Sequence, residues 1–265
     1  MAAVISRRAL VGASFCICFD CSAKTPVGGC VIEQQEYEVL GVVTLPNGVA
    51  KGVGARRTIP NTPPKPQLTD TSSDYALDRS LAKNALVPLA SIFQIRPEFA
   101  YADFRNTAYR NSLALIWRPV KKLNEDGVVV LDLPTLTQLL SEKTFGVLLG
   151  ILAHEFGHGR QLQSGWSQRF RARDEREARQ ADELHADYLA GYPIRFIEET
   201  RYADQLDIND IINWWGSNGG TSHGTGQQRI DALSGGYKYA QYNKFDRSIV
   251  KAEKFGADLV FSLLR

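Results

Sequence analysis

The chain has 265 residues, 44% of them hydrophobic and 23% charged, which is enough for one sizeable core or a core with a small appendage. Its 31 Lys and Arg against 29 Asp and Glu leave a net charge of +2. That balance lacks the basic excess of a nucleic-acid binder, so no nucleic-acid partner is expected.

At the N-terminus, Arg7 and Arg8 precede a short apolar run, Ala9 to Phe19, too short to span a bilayer. Small residues at Cys21-Ser22-Ala23 follow. Residues 1–23 therefore read as an export signal, loosely of the twin-arginine kind, cleaved after Ala23. The expected location is periplasmic or secreted. Cys16, Cys18 and Cys21 leave with the signal, and Cys30 alone remains, so no internal disulfide framework is expected. No later apolar stretch approaches the roughly 18 residues of a spanning helix, so the mature chain should make no stable membrane insertion.

Residues 24–73 read as a short β-like segment and linker. Val31 to Val43 and Val49 to Val53 are strand candidates around a Pro46-Asn47-Gly48 turn, and Pro60 to Ser73 is rich in Pro, Thr, Asp and Ser. The main domain is expected over 74–265. Tyr75 to Val87 has helical spacing that Pro88 should end or kink. Leu113 to Trp117 and Gly127 to Asp132 are strand candidates, the second either an edge that pairs with a peptide or a core strand. Phe99 and Tyr101 are read as pocket or core residues. Thr135 to Leu140 and the apolar run from Phe145 to about Gly159 are helical, and Glu175 to Gly191 is a second helix. Trp214 to Gly220 reads as a loop, a lid or hydrophobic subsite. Gln227 to Leu233 and Tyr242 to Leu264 read as closing helices.

The segment His154-Glu155-Phe156-Gly157-His158 carries the chemistry. On a helix, residues i and i+4 stand about 6 Å apart along the axis and about 40° apart around it, so two imidazoles can grip one ion. Glu155 is placed to take a proton from an activated water, and the H-E-x-x-H pattern is the metalloprotease signature. The apolar run before it would bury this helix, and burying two histidines and an acid without a shared ion is costly. A catalytic zinc takes three protein ligands. The H-E-x-x-H-x-x-G-x-x-H continuation is absent, because Gln161 and Ser164 occupy its Gly and His positions. The third ligand must come from elsewhere. Glu183 and Asp187 share a face of the second helix, so Glu183 can ligate while Asp187 holds the far nitrogen of a histidine ligand. Small Ala186 would let the two helices approach. His185 is the rival ligand, on the opposite side of that helix.

His154-Glu155-x-x-His158 followed by Glu183-x-x-Ala186-Asp187 resembles the gluzincin zinc peptidases, and within them the HtpX, Oma-type and CAAX prenyl protease group and related bacterial neutral zinc metallopeptidases. Ser222-His223-Gly224-Thr225-Gly226-Gln227-Gln228-Arg229-Ile230 is similar to the T-H-P-x-x-x-x-R-I segment of those families, with Gly224 in place of proline. The resemblance covers roughly residues 95 to 235. It implies an α+β, zincin-like fold: a small mixed sheet packed on an active-site helix at 144–159, and a mostly helical C-terminal half. It implies one Zn2+ per chain on His154, His158 and Glu183, and Glu155 as general base. His223 is the candidate oxyanion donor, with Arg229 either contributing or fixing the loop. The function expected is endoproteolysis of exported or cell-envelope proteins or peptides. The alternatives are a metal-stabilised binding module without turnover, and a zinc hydrolase of non-peptide amides.

Overall fold

The strand that holds Val128, Val129 and Val130 lies between two others of a sheet, and every one of its side chains is buried. A computed structural model describes residues 8–11, 36–44, 67–68, 82–102, 104, 113–117, 126–141, 145–172, 174–199 and 206–265. Strands β2 (Glu36–Thr44), β4 (Glu98–Ala102) and β6 (Val128–Asp132) run parallel. An antiparallel strand flanks this set on each side: β1 (Arg8–Val11) beside β2, and β5 (Ala114–Trp117) beside β6. A two-residue strand, β3 (Gln67–Leu68), also pairs with β2.

The open alternatives resolve here, and some expected boundaries change. The strand at Val128 is interior, and β5 is one edge of the sheet among the described residues, with β1 at the other end of the order. Phe99 and Tyr101 are core residues, 0% and 2% exposed. Part of the expected linker, Gln67–Leu68, joins the sheet, as do Arg8–Val11 of the expected signal. The Pro46 turn, the Val49 to Val53 strand and all four cysteines lie outside the described residues.

Pro88 does not end a helix. It sits in the first turn of α1 (Val87–Phe93), after a π-helical turn at Ala82–Leu86. Proline is tolerated there because the first turn's N–H groups have no helical partner to lose. Asp132 closes β6 and opens α2 (Leu133–Ser141), since its carboxylate accepts from Thr135 N at 3.1 Å and Thr135 Oγ1 at 2.8 Å.

Helix α3 (Phe145–Ser164) is buried on nearly all sides, which is why it shows little amphipathic bias. A short helix α4 (Trp166–Phe170) turns the chain. Helix α5 (Glu175–Glu198) starts on an Asp174 cap and runs past the predicted end at Gly191, through Pro193, to Glu198. Burial of Ile194, Phe196 and Ile197 keeps that last stretch helical despite the hydrogen bond proline removes.

Trp214 and Trp215 are not in a loop. They end helix α6 (Ile208–Ser217), whose N-cap Asp207 accepts from Asn209 N at 2.7 Å. Helix α7 (Gly226–Tyr242) begins with a Thr225–Gln228 capping box. It absorbs both the predicted 227–233 helix and the start of the predicted final one. A turn at 243–248 separates it from α8 (Ile249–Leu263), which Ser248 caps. Among the described residues no helix is long and apolar enough to cross a membrane.

Helices α5 and α7 touch backbone to backbone through two glycines. A Cβ on Gly236 would lie 1.8 Å from Tyr188 O, and one on Gly191 would lie 1.9 Å from Leu233 O. Both obstacles are backbone atoms that cannot swing aside. Gly236→Ala should therefore cost about 3 kcal/mol and lower Tm by roughly 6–12 °C, read by thermal unfolding. An unchanged Tm would mean the helices have room to separate.

Candidate metal centre

Helices α3 and α5 pack closely where Gly157 faces Ala186. A Cβ at Gly157 would meet Ala186 O at 3.2 Å and Leu189 Cβ at 3.3 Å. Small residues at this crossing bring the two predicted motifs together. His154 Nε2 and His158 Nε2 lie 3.1 Å apart, with their rings edge to face. Glu183 Oε2 stands 3.3 Å from the first and 3.4 Å from the second. These ligand atoms of His154, His158 and Glu183 all fall within 4.8 Å of one another and form a group that could hold a metal ion.

The hydrogen bonds behind the imidazoles show which atoms face inward. His154 Nδ1 meets Asp187 Oδ1 at 2.8 Å. A carboxylate only accepts, so Nδ1 carries the proton and Nε2 turns a lone pair to the cluster. His158 Nδ1 meets Gln161 Oε1 at 2.8 Å, which has the same consequence. The Gln161 amide is itself held, since its Nε2 donates to Asp182 O at 2.7 Å and faces His185 Nδ1 at 3.1 Å. Two lone pairs and a carboxylate oxygen therefore converge. Glu183 Oε2 is buried without a hydrogen-bond partner. This donor set fits a cation, because three acceptors held together need positive charge between them.

The titration behaviour points the same way. Burial disfavours charge on His158, yet Glu183 lifts its pKa to about 10. Burial likewise opposes ionised Glu183, but the two imidazoles hold it well below the usual carboxylate range. Protons and a metal compete for this cluster. Burial pushes Glu155 upward. Glu155 is 8% exposed, lies outside the ligand group and accepts from the backbone N–H of Ile116 on β5.

Asp187 is the hub. It is fully buried, and besides His154 it receives Trp215 Nε1 at 2.6 Å and Arg229 through Nε and one terminal nitrogen, each at 2.8 Å. The other terminal nitrogen of Arg229 donates to Asn218 O at 2.8 Å. Burial opposes charge on Asp187, and the Arg229 hydrogen bonds outweigh it and lower its pKa. Arg229 is 6% exposed and committed to these partners, so it fixes Asp187 and the loop before α7. His223 rises from that loop, its Nε2 3.2 Å from Glu183 Oε2 and its Nδ1 2.8 Å from Ser222 Oγ. It borders the three-ligand group without belonging to it. Gly224 has φ +89°, a conformation closed to the proline that the resemblance would place there.

His185 is a core residue rather than a ligand. It is fully buried, its Nε2 donates to Glu253 O at 2.8 Å, and burial lowers its pKa to about 4. Gln161 escaped the sequence reading although it had a local signal, since it lies one turn beyond His158 on the same helix. Trp215 was expected in a lid or hydrophobic subsite, and the structure instead makes it a hydrogen-bond donor to Asp187, 28 positions away. Comparison of the chain with protein-family models, with curated proteins and with solved structures gives no match.

Proposed function

We propose that this protein is a zinc-dependent endopeptidase of zincin-like fold. The observation that carries the reading is the convergence of His154, His158 and Glu183 with a non-ligand acid, Glu155, beside them. Zinc is favoured by the donor chemistry. For bonds of roughly 2.0–2.1 Å a tetrahedral zinc sets its ligand atoms about 3.3 Å apart, and the three separations here are 3.1, 3.3 and 3.4 Å. When bound, the ion would polarise a scissile carbonyl and acidify a water.

The chain's own residues supply the rest. Glu155, whose pKa burial raises, accepts the water's proton and returns it to the leaving amine. Its hydrogen bond to Ile116 N–H sets it against edge strand β5, where an extended peptide can add as a further strand. His223 donates to the developing oxyanion from the rim, and Asp187 keeps His154 in its ligating tautomer. The N-terminal reading makes exported or cell-envelope proteins the substrates.

The test is metal analysis of the purified chain together with cleavage of a casein-type substrate. About one zinc per chain is expected, with cleavage lost to a chelator and restored by zinc. Zinc-loaded protein that cuts neither casein nor a panel of peptides would defeat the proposal.

A further inference from the structure

All four large apolar side chains that stand exposed among the described residues lie between Tyr242 and Phe255. Tyr242 is 81% exposed, Phe245 93%, Val250 60% and Phe255 51%. They surround the turn between α7 and α8. Phe245 projects almost wholly into solvent at the tip, while Phe255 leans on Tyr239 with ring centres 5.0 Å apart. Exposed apolar residues scattered singly over a surface need no explanation, but four that all fall within residues 242–255, at this turn and in the start of α8, do.

The same stretch is basic. Lys238, Lys244, Arg247, Lys251 and Lys254 fall within residues 238–255, in a chain whose whole net charge is only +2. Of the two acids of that stretch, one turns away from the surface and the other neutralises a single one of the five cations. Glu253 is 1% exposed and faces inward to Arg160 at 3.1 Å, and Asp246 pairs with Lys251 at 2.5 Å. Lys244 Nζ sits 5.0 Å from the Phe245 ring centre, so an aromatic tip and a cation are presented together.

We propose that the α7–α8 turn docks this protein peripherally on an anionic lipid surface. Charge complementarity selects that occupant, since anionic headgroups attract each nearby Lys or Arg. Shape agrees with it. Protruding aromatic side chains at a convex turn insert among headgroups, where aromatic rings sit well, whereas a protein partner needs a broad complementary face. Neither a few apolar tips nor a few cations anchors a protein alone, and stable attachment takes both signals. Arg247 stacks on Phe196 near the end of α5, 13 positions beyond Glu183. At 1.5 Å per helical residue that puts the turn about 20 Å from the metal ligands along the helix, so docking leaves the centre open. The inference does not depend on the peptidase reading.

The test is co-sedimentation of the full chain with vesicles of phosphatidylcholine and phosphatidylglycerol in equal parts, and with phosphatidylcholine alone. Binding should be at least about tenfold tighter to the anionic vesicles and should weaken as salt is raised. Tyr242→Ala with Phe245→Ala should lose about tenfold, and Lys244→Glu with Lys254→Glu at least as much. These side chains are exposed, so circular dichroism should confirm that both variants stay folded. The proposal fails if the parent ignores anionic vesicles, or if either folded double variant binds as well as the parent. It also fails if the turn instead mediates self-association that Phe245→Ala abolishes, with no vesicle binding.

Discussion

Glu155→Gln should keep its metal and its fold and lose about 10³-fold in kcat/KM on a casein-type substrate. The substitution preserves shape, and the amide oxygen of Gln can still accept from Ile116 N–H, so the contact with β5 survives. What disappears is the ability to take up a proton. Glu155 is not among the three clustered ligands, so metal content should be that of the parent. Two readouts make the result decisive. Equal activity in parent and variant would remove Glu155 from the chemistry and favour a centre that only stabilises a binding surface. Loss of metal in the variant would place Glu155 in the coordination sphere and overturn the assignment of Glu183.

The centre was legible in the sequence where its geometry is local. His154, Glu155 and His158 lie within five positions on one helix, and a buried apolar run identified that helix as interior. Glu183 and Asp187 followed from a second i, i+4 pair, once two histidines left coordination incomplete. The remainder depended on distant contacts. Trp215 and Arg229 reach Asp187 across 28 and 42 positions, and no spacing rule predicts such meetings. Arg229 was readable as a motif residue that either contributes to the oxyanion or fixes the loop, but its partners Asp187 and Asn218 were not. Element boundaries failed where one signal masked another. The Gly216 to Gly220 stretch drew attention from Ile208, Ile211, Ile212 and Trp215, whose spacing of three, four and seven makes α6. Pro88 suggested a helix end or kink, yet it lies in a first turn, and the helix expected to end at Gly191 continues because burial outweighs Pro193. The turn at 243–248 contains no glycine or proline, so the expected last helix ran back over it to Tyr242, while the one before it was expected to stop at Leu233, nine residues short of its end.

Asp187→Asn is the second large effect expected, and it should strike stability and metal binding together. The carboxylate accepts from His154, Trp215 and Arg229 while fully buried. An amide in its place puts N–H groups against donors and leaves the buried Arg229 charge without a counter-ion. Breaking a buried pair from one side costs about 3–5 kcal/mol, measurable by urea unfolding of metal-stripped protein. Metal affinity should fall about 10–100-fold, because the partner of His154 loses the negative charge that orients the imidazole and raises its basicity. The pH dependence carries its own sign. Asp187 has a lowered pKa in the folded protein, so its stabilisation is present above its unfolded value and is lost as pH falls through the folded one. Asp187→Asn should therefore flatten the acid side of the stability profile. Adding Arg229→Met removes the stranded cation, so the double variant should recover much of the stability but little of the metal affinity. Stability that stays low in the double variant would show that the hub works through packing against Trp215 rather than through its charge. Affinity that returns with stability would show that His154 needs a neutral acceptor held in place and not a charged one.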